Sequence, residues 1–230
     1  MEKFNIAIDG PAGSGKSTIA ISLAKILGFI YIDTGAMYRA AAWKALKENA
    51  GFNDEEALLA VTGKLKMKIQ PDLEHPVGYR VFVDGKEITG ELTSPEVSLK
   101  VSLLAKVSPI RRILVEQQRR MAESGGVVMT GRDIGTVVLR DAPVKIFLTA
   151  SAGERARRRF LQMEDEGRAV DPALANESVK VRDKIDSSRE DSPLKPAEDA
   201  VIIDSTSMTI DEVVNKILEI IGSRRKAGEF

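Results

Sequence analysis

The feature that most constrains the fold of this chain is a glycine-rich segment close to its start. Its residues are Gly10, Pro11, Ala12, Gly13, Ser14, Gly15, Lys16 and Ser17, so four residues separate the first Gly from Gly-Lys-Ser. Apolar residues between 4 and 8 predict a strand before the segment, and apolar residues at helical spacing between 19 and 27 predict a helix after it. A strand, this loop and a helix predict an α/β domain with a phosphate-binding loop. The alternative is an ordinary glycine-rich turn.

The rest of the chain continues the alternation of strands and helices. Short, wholly apolar runs predict further strands at residues 29–32, 127–130, 144–148 and 200–203. Helical patterns fall between or after them, at residues 36–46, 110–121 and 210–221. Strands that are apolar throughout are typical of a parallel sheet with both faces buried. We therefore predict an α/β fold of the P-loop NTPase type, with a doubly wound, five-stranded parallel sheet.

Two stretches interrupt this alternation. Residues 65–92 contain apolar runs around an Asp84-Gly85 turn, which predicts a small β insertion. Residues 151–189 are highly charged and helical in pattern, and Gly167 marks a turn between two helices. We therefore expect a sheet core that carries one β-containing insertion and one helical insertion.

The composition limits the classes of function. The 230 residues carry 34 Lys and Arg against 34 Asp and Glu, and this balance argues against broad binding of a nucleic-acid backbone. The absence of Cys excludes disulfides and thiolate metal sites and favours a reducing compartment. The sequence has neither a signal-peptide pattern nor an apolar run of the ~18 residues that a membrane span needs. We expect a cytoplasmic protein that binds neither nucleic acid nor membrane.

The glycine-rich loop also predicts a chemistry. Its glycines let backbone N–H groups turn inward around a β-phosphate, and the start of the following helix, through Thr18, adds a favourable partial charge. We expect Lys16 to reach the β- and γ-phosphates of a nucleotide and the Ser17 hydroxyl to ligate Mg²⁺. An ATPase, a GTPase, a kinase and a nucleotide-gated regulator all stay open at this point. The lack of an Asn-Lys-x-Asp segment weakens the GTPase alternative.

Charged residues follow two of the predicted strands. Asp33, Thr34 and Arg39 come after the second strand, and Arg132 and Asp133 come after the third. Ligands of open α/β sheets bind beyond the carboxyl ends of the strands, so these side chains are candidates for holding an anion. The alternatives are a capped helix with a solvated arginine and a surface ion pair.

The charged segment places further arginines on single helix faces. Spacing of i, i+4 and i+7 puts three residues on one face of its second helix: Arg182, Asp186 and Arg189. The apolar stripe of that helix is predicted to be Leu174, Ser178, Val181 and Ile185. One side of the first helix carries Arg155, Arg158 and Arg159. Such helices are often solvated surfaces, but arginine is also the planar donor that suits a phosphoryl group between two nucleotides. With one phosphate loop, these arginines predict a phosphotransferase with a closing lid.

Four segments in combination point to a family. They are residues 8–17, 33–39, 130–138 and 182–189. Their sequences are Ile-Asp-Gly-Pro-Ala-Gly-Ser-Gly-Lys-Ser, Asp-Thr-Gly-Ala-Met-Tyr-Arg, Thr-Gly-Arg-Asp-Ile-Gly-Thr-Val-Val and Arg-Asp-Lys-Ile-Asp-Ser-Ser-Arg. The chain resembles the bacterial cytidylate kinases over about residues 4–221. The resemblance implies transfer of the γ-phosphoryl group of ATP to CMP or dCMP with Mg²⁺.

The resemblance also implies roles for individual residues. The acceptor phosphate would be held by Arg39, Arg132 and Arg189, near Asp33 and Thr34. The ribose would meet Arg182 and Asp186. The positions that match cytosine recognition are Ser102, Arg111 and Asp133. A carboxylate can accept from N4 of cytosine while Arg and Ser donate to N3 and O2.

Catalysis would consist of positioning and charge neutralisation. The residues implied to be catalytic are Lys16, Arg132, Arg158 and Arg189. Arg155, Arg158 and Arg159 of the lid would bind ATP together with the glycine-rich loop. Asp33 is a candidate for holding a metal-bound water, and no clear Walker-B carboxylate ends the third strand.

The resemblance divides the chain into parts. It implies a P-loop core (residues 1–34, 101–150 and 190–222), a monophosphate-binding domain (35–100), a lid (151–189) and a tail (223–230). We expect a monomer. Two alternatives stay open: a related P-loop kinase acting on UMP, another monophosphate or a small metabolite, and a nucleotide-dependent regulatory module. The second is disfavoured because a simple switch needs no second phosphate site.

Overall fold

The structure of the chain, a computed structural model, describes residues 3–165, 167 and 171–230. Its strands are β1 (Asn5–Asp9), β2 (Ile30–Asp33), β3 (Met67–Pro71), β4 (Tyr79–Val83), β5 (Lys86–Glu87), β6 (Val127–Gly131), β7 (Val144–Thr149) and β8 (Val201–Asp204). Its helices are α1 (Lys16–Leu27), α2 (Thr34–Lys47), α3 (Glu55–Gly63), α4 (Pro95–Leu104), α5 (Ser108–Ala122), α6 (Ala152–Asp165), α7 (Pro172–Ser187) and α8 (Ile210–Lys226). The described residues also include a short 3₁₀ helix, Thr89–Glu91, and a single π-helical turn, Ile134–Val138.

A five-stranded parallel sheet forms the centre, in the order β2-β6-β1-β7-β8. The strand interiors are apolar because helices cover both faces, and Ile6, Ile8 and Val128 are fully buried. All the strands run the same way, so their carboxyl ends meet along one edge of the sheet. The predicted fold class and the five predicted strands are confirmed.

The β insertion is also confirmed. Strands β3, β4 and β5 form a separate antiparallel sheet, and Asp84 and Gly85 both have positive φ in the turn between β4 and β5. Alternate residues of β4 are buried, because one face of this sheet packs on the core. Helices α3 and α4 flank the insertion and were not predicted, although Asp54 and Ser94 cap them in the usual way.

Helices α6 and α7 form the charged segment, and Gly167 lies in the turn after α6. The stripe predicted for α7 is wrong, since Leu174 and Val181 are 60% and 49% exposed. The buried face of α7 lies one residue further on and includes Ala175, Val179 and Asp186. On this face Asp186 pairs with Arg132 of the core.

Parts of the predicted domains lie outside the described residues: residues 1–2 of the core, and residues 166 and 168–170 of the lid. Within the described ranges, no helix combines the length and the apolar character that crossing a membrane requires.

Candidate active site

The glycine-rich loop lies where β1 ends, and α1 begins at Lys16 directly after Gly15, whose φ is 92°. The Lys16 Nζ donates to the carbonyl of Pro11 at 2.8 Å and to the Ser14 Oγ at 3.4 Å. Burial, together with the positive charge of Arg132, lowers the pKa of Lys16 well below its usual value. The Lys16 side chain therefore contacts its own loop, and a bound anion would stabilise its charged form.

Arg155 joins the start of α6 to the same loop. A Cβ atom on Gly13 would lie 2.6 Å from the carbonyl oxygen of Arg155, so only glycine allows this approach. The Arg155 Nη1 donates to the carbonyl of Ala12 at 3.2 Å and to the Asp183 carboxylate on α7 at 2.5 Å. Both helices of the charged segment are thereby connected to the loop.

Arg158 bridges three parts of the chain. Its guanidinium donates to the carbonyl of Ser14 at 3.3 Å and to the hydroxyl and carbonyl of Ser205, at 3.0 and 2.7 Å. Glu154 accepts from its Nε at 2.8 Å. The third arginine, Arg159, donates to Gln162 at 2.9 Å within α6.

Ser205 was missed in the sequence analysis. It follows β8, is 3% exposed, and donates to the carbonyl of Thr149 at 3.0 Å. The sequence could have identified Ser205 through the rule applied to β2 and β6. By that rule, polar residues just beyond a strand of an open α/β sheet are candidates for ligand binding.

Asp33 and Arg39 form a cluster where β2 meets α2. The Arg39 Nη2 donates to the Asp33 Oδ2 at 2.8 Å, and the hydroxyl of Tyr79 on β4 donates to the same oxygen at 2.9 Å. Burial opposes ionisation of Asp33, but Arg39 outweighs it and holds the pKa of the carboxyl below its usual value. Beside them, the Thr34 hydroxyl donates to the carbonyl of Thr130 at 2.8 Å. Arg39 is thus a partly buried, ion-paired side chain, not a solvated one.

Asp186 collects the arginines that the sequence spacing grouped together. It accepts from the Arg132 Nε at 2.6 Å and from the Arg189 Nη2. Burial works against its charge, but these arginines outweigh burial and lower the pKa of Asp186. Burial and the charge of Arg132 lower the pKa of Arg182 to about 9, so this guanidinium also lies close to the group. Arg132 of the core thus lies beside Arg182 and Asp186 of α7 and Arg189 just after it, as predicted.

The Arg111–Asp133 pair lies beside this group. The Arg111 Nη2 donates to the Asp133 Oδ2, and both side chains are nearly inaccessible to solvent. Burial raises the pKa of Asp133 despite Arg111. The Arg111 guanidinium carbon lies 5.6 Å from the centre of the Tyr38 ring, a cation–π contact. Ser102 is 8% exposed on α4. The sequence left open that Arg132 and Asp133 form an ion pair at the surface. This alternative is excluded for Asp133, which is buried and pairs with Arg111.

Asp9, the last residue of β1, was also missed. Its carboxylate accepts from the backbone N–H groups of Ile134 and Gly135 at 2.8 and 2.7 Å. Burial outweighs these hydrogen bonds and raises the pKa of Asp9 to about 6. The side chain therefore ties the loop that carries Arg132 and Asp133 to the strand that carries the glycine-rich loop.

Arg39, Arg132, Arg182 and Arg189, here the arginine cluster, include buried donors that no described acceptor uses. The Nε–H groups of Arg39, Arg182 and Arg189 are shielded from solvent and have no hydrogen-bond partner among the described residues. Buried donors without a partner are costly, and three on neighbouring arginines suit a bound anion. The arrangement offers one anion site at the glycine-rich loop and a second among these arginines.

Among the known proteins that this chain resembles are several cytidylate kinases. The cytidylate kinase from Desulfitobacterium hafniense strain Y51 is 48% identical over 227 residues, which cover 99% of this chain and 96% of the relative. The cytidylate kinase from Caldanaerobacter subterraneus subsp. tengcongensis is 49% identical over 221 residues, 96% of each chain. A crystal structure of shikimate kinase from Bacteroides thetaiotaomicron matches with a TM-score of 0.50 at 11% identity, over 96% of this chain and 99% of that one. The last likeness concerns the fold alone.

The family profile described as cytidylate kinase matches residues 6–223. This range includes the glycine-rich loop, the arginine cluster and both helices of the charged segment. The chain belongs to the cytidylate kinase family.

Proposed function

We propose that this protein transfers the γ-phosphoryl group of ATP to CMP or dCMP, which gives CDP or dCDP and ADP. The observation that carries this proposal is a set of three buried Nε–H groups beside the phosphate-binding loop, on Arg39, Arg182 and Arg189, which find no partner within the described part of the chain. A simple nucleotide switch needs one phosphate site, whereas a phosphotransferase needs a second site for its acceptor. Membership of the cytidylate kinase family supports the choice of acceptor.

ATP would be bound by residues 10–18. Backbone N–H groups of the loop and the N-terminus of α1 would surround the β-phosphate, and Lys16 would neutralise the β- and γ-phosphates. Arg155, Arg158 and Arg159 of α6 would neutralise the transferring group from the other side. The contacts of Arg155 and Arg158 with carbonyls of the loop support this placement.

The residues present fit a magnesium ion that travels with ATP. Ser17 is exposed on the first turn of α1, next to Lys16, and its hydroxyl would supply one ligand. Among the described residues, no cluster of three carboxylates, His or Cys forms an all-protein cage. Mg²⁺ commonly takes one or two protein ligands and completes its shell with phosphates and water. When bound, it would withdraw charge from the β- and γ-phosphates.

The acceptor phosphate would bind to Arg39, Arg132 and Arg189, and the ribose would meet Arg182 and Asp186. The Nε–H groups of Arg39 and Arg189 support the phosphate site, because they need an acceptor that residues 3–165, 167 and 171–230 do not provide. In the structure, Asp186 supplies the negative charge that pairs with Arg132 and Arg189. The incoming phosphate would take over part of that role.

Cytosine would be read by Asp133, Arg111 and Ser102. Asp133 would accept from N4, and Arg111 and Ser102 would donate to N3 and O2. All three side chains are buried, so a base with the wrong pattern leaves a buried polar group unpaired. Uracil presents a carbonyl oxygen to the carboxylate and is disfavoured.

The chemical step would be in-line attack of a CMP phosphate oxygen on the γ-phosphorus. The acceptor phosphate is already largely ionised at neutral pH, so no general base is required. The protein would align the two phosphates and neutralise their charge with Lys16, Arg132, Arg158 and Arg189. Closure of the lid would exclude water and suppress hydrolysis of ATP.

We assign the parts of the chain accordingly. The P-loop core would comprise residues 1–34, 101–150 and 190–222, the monophosphate-binding domain residues 35–100, and the lid residues 151–189. We propose that the protein is a monomer and that it acts in the cytoplasm.

The direct test is a coupled assay of ADP formation with ATP and Mg²⁺ and, separately, CMP, dCMP, UMP, AMP and GMP. We expect CMP and dCMP to give the largest kcat/KM. A preference for UMP or another monophosphate would assign the chain to a related kinase activity. No turnover above that with ATP alone would instead favour the regulatory module.

A further inference from the structure

The β insertion contributes one side chain to the cluster at the end of β2. Tyr79 is the first residue of β4, and it shares the buried face of that strand with Val81 and Val83. The tyrosine is 4% exposed, and its ring centre lies 6.0 Å from that of Tyr31 on β2. Residues 79 and 33 are far apart in sequence, so only the packing of the insertion on the core joins them.

The residue before Tyr79 fixes how closely the insertion approaches the core. Gly78 has φ +80°, and a Cβ atom there would lie 2.8 Å from Tyr31 Cδ1 and 2.9 Å from Ile21 Cγ1. Any other residue would push β4 away from α1 and β2 and would also strain the backbone. The backbone is therefore shaped so that the Tyr79 side chain reaches the end of β2.

The Tyr79 hydroxyl forms a closed triangle with an ion pair. It donates to the Asp33 Oδ2 at 2.9 Å and accepts from the Arg39 Nη2 at 3.3 Å, while Arg39 Nη2 and Asp33 Oδ2 are 2.8 Å apart. Burial and the nearby Asp33 charge raise the pKa of Tyr79 well above its usual value, so the hydroxyl remains a donor. One nitrogen of Arg39 is thus committed to the protein, whereas its buried Nε–H has no partner in the part of the chain that the structure describes.

We infer that Tyr79 is a positioning residue for the acceptor phosphate, and that supplying it is a function of the β insertion. Its hydroxyl holds the Asp33–Arg39 pair in one orientation, with the Arg39 Nε–H left for the phosphate of the monophosphate substrate. The inference rests on the proposed function, because it assumes that Arg39 receives that phosphate.

The test is Tyr79→Phe, which removes the hydroxyl and keeps the ring. Loss of a hydrogen bond to charged groups predicts a rise of about tenfold in the KM for CMP. The KM for ATP and kcat should change less than about twofold, since neither depends on the orientation of Arg39 before CMP binds. Calorimetric titration with CMP, which needs no turnover, should show the same loss of affinity.

Val81→Ala is the matched control. It loosens the same buried face of β4 but leaves the hydroxyl in place. Thermal unfolding of both variants measures the damage to the fold. We expect Val81→Ala to be the less stable of the two and to keep the wild-type KM for CMP. If Val81→Ala raises this KM as much as Tyr79→Phe does, the effect comes from packing and the inference fails.

A double-mutant cycle with Asp33→Asn tests the route of the effect. If Tyr79 acts through the pair, Tyr79→Phe should weaken CMP binding much less in the Asp33→Asn background than in the wild type. Additive effects, or an unchanged affinity of Tyr79→Phe for CMP, would overturn the inference. If the proposed function fails and the inference holds, the wild type would bind CMP without transferring phosphate. The CMP affinities of the variants would then still test the inference. A wild type that does not bind CMP would refute both.

Discussion

Asp186→Asn should destabilise the unliganded protein strongly. Asp186 has a side chain that is 3% exposed and lies between Arg132 and Arg189, whose side chains are 17% and 7% exposed. The substitution keeps the shape but removes the only carboxylate that pairs with either arginine in the described structure. Breaking a buried ion pair costs about 3–5 kcal/mol, and the partial exposure of Arg132 favours the lower end of that range.

A loss of about 3 kcal/mol corresponds to a fall of about 10 °C in Tm for a chain of this size. Thermal unfolding followed by circular dichroism, without nucleotide, measures it. Glu116→Gln is the control, because Glu116 and Arg120 form an i,i+4 pair with side chains 64% and 66% exposed. Exposed pairs contribute about 0–1 kcal/mol, so this variant should melt close to the wild type.

Inorganic phosphate provides the second arm of this experiment. If Asp186 stands in for an anionic ligand, phosphate should raise the Tm of Asp186→Asn more than that of the wild type, because it replaces the missing counter-charge. An Asp186→Asn protein that melts with the wild type, or gains no more from phosphate, would refute the idea of a buried cationic cluster that needs an anion.

Three further predictions concern other parts of the site. Arg189→Ala should lower kcat/KM for CMP by at least about 100-fold while leaving ATP affinity nearly unchanged, because its guanidinium lies in the acceptor cluster; unchanged transfer would remove Arg189 from that site. The pKa of Asp9 is raised to about 6 from an ordinary 3.8, so its contribution to stability is present below pH 4 and is lost as the pH rises through 6. Urea unfolding should therefore show the wild type losing up to about 3 kcal/mol relative to Asp9→Asn between pH 4 and 7, and parallel pH profiles would contradict this. Ser205→Ala should lower kcat several-fold with little effect on the KM for CMP, since the Ser205 hydroxyl accepts from Arg158 at 3.0 Å; steady-state kinetics with wild-type values would show that Arg158 does not need this contact.

The core of the fold could be predicted because its signals are local. Each strand of the parallel sheet is a short apolar run, and the loop at residues 10–17 has a spacing that few other structures need. The spacing of Arg182, Asp186 and Arg189 likewise predicted a shared face, and the structure brings all three to Arg132. Periodicity within one helix or strand needs no knowledge of the partner.

What could not be predicted depends on contacts between distant segments. The stripe of α7 was misplaced by one residue, because its buried face carries Asp186, and helical periodicity does not reveal the contact of Asp186 with Arg132 of the core. Tyr79 gave no sign of its contact with Asp33, since the pattern of a hairpin predicts which residues are buried but not what they meet. Ser205 and Asp9 both lie at strand ends, where the rule used for Arg132 would have found them.

Asp133 is the buried carboxylate that would distinguish cytosine from uracil. The most direct measurement is kcat/KM for CMP and for UMP in the wild type and in Asp133→Asn. We predict that the substitution lowers the value for CMP by about 100-fold and the value for UMP much less, because only cytosine donates from N4 to the carboxylate. Equal losses for the two substrates would contradict base recognition by Asp133.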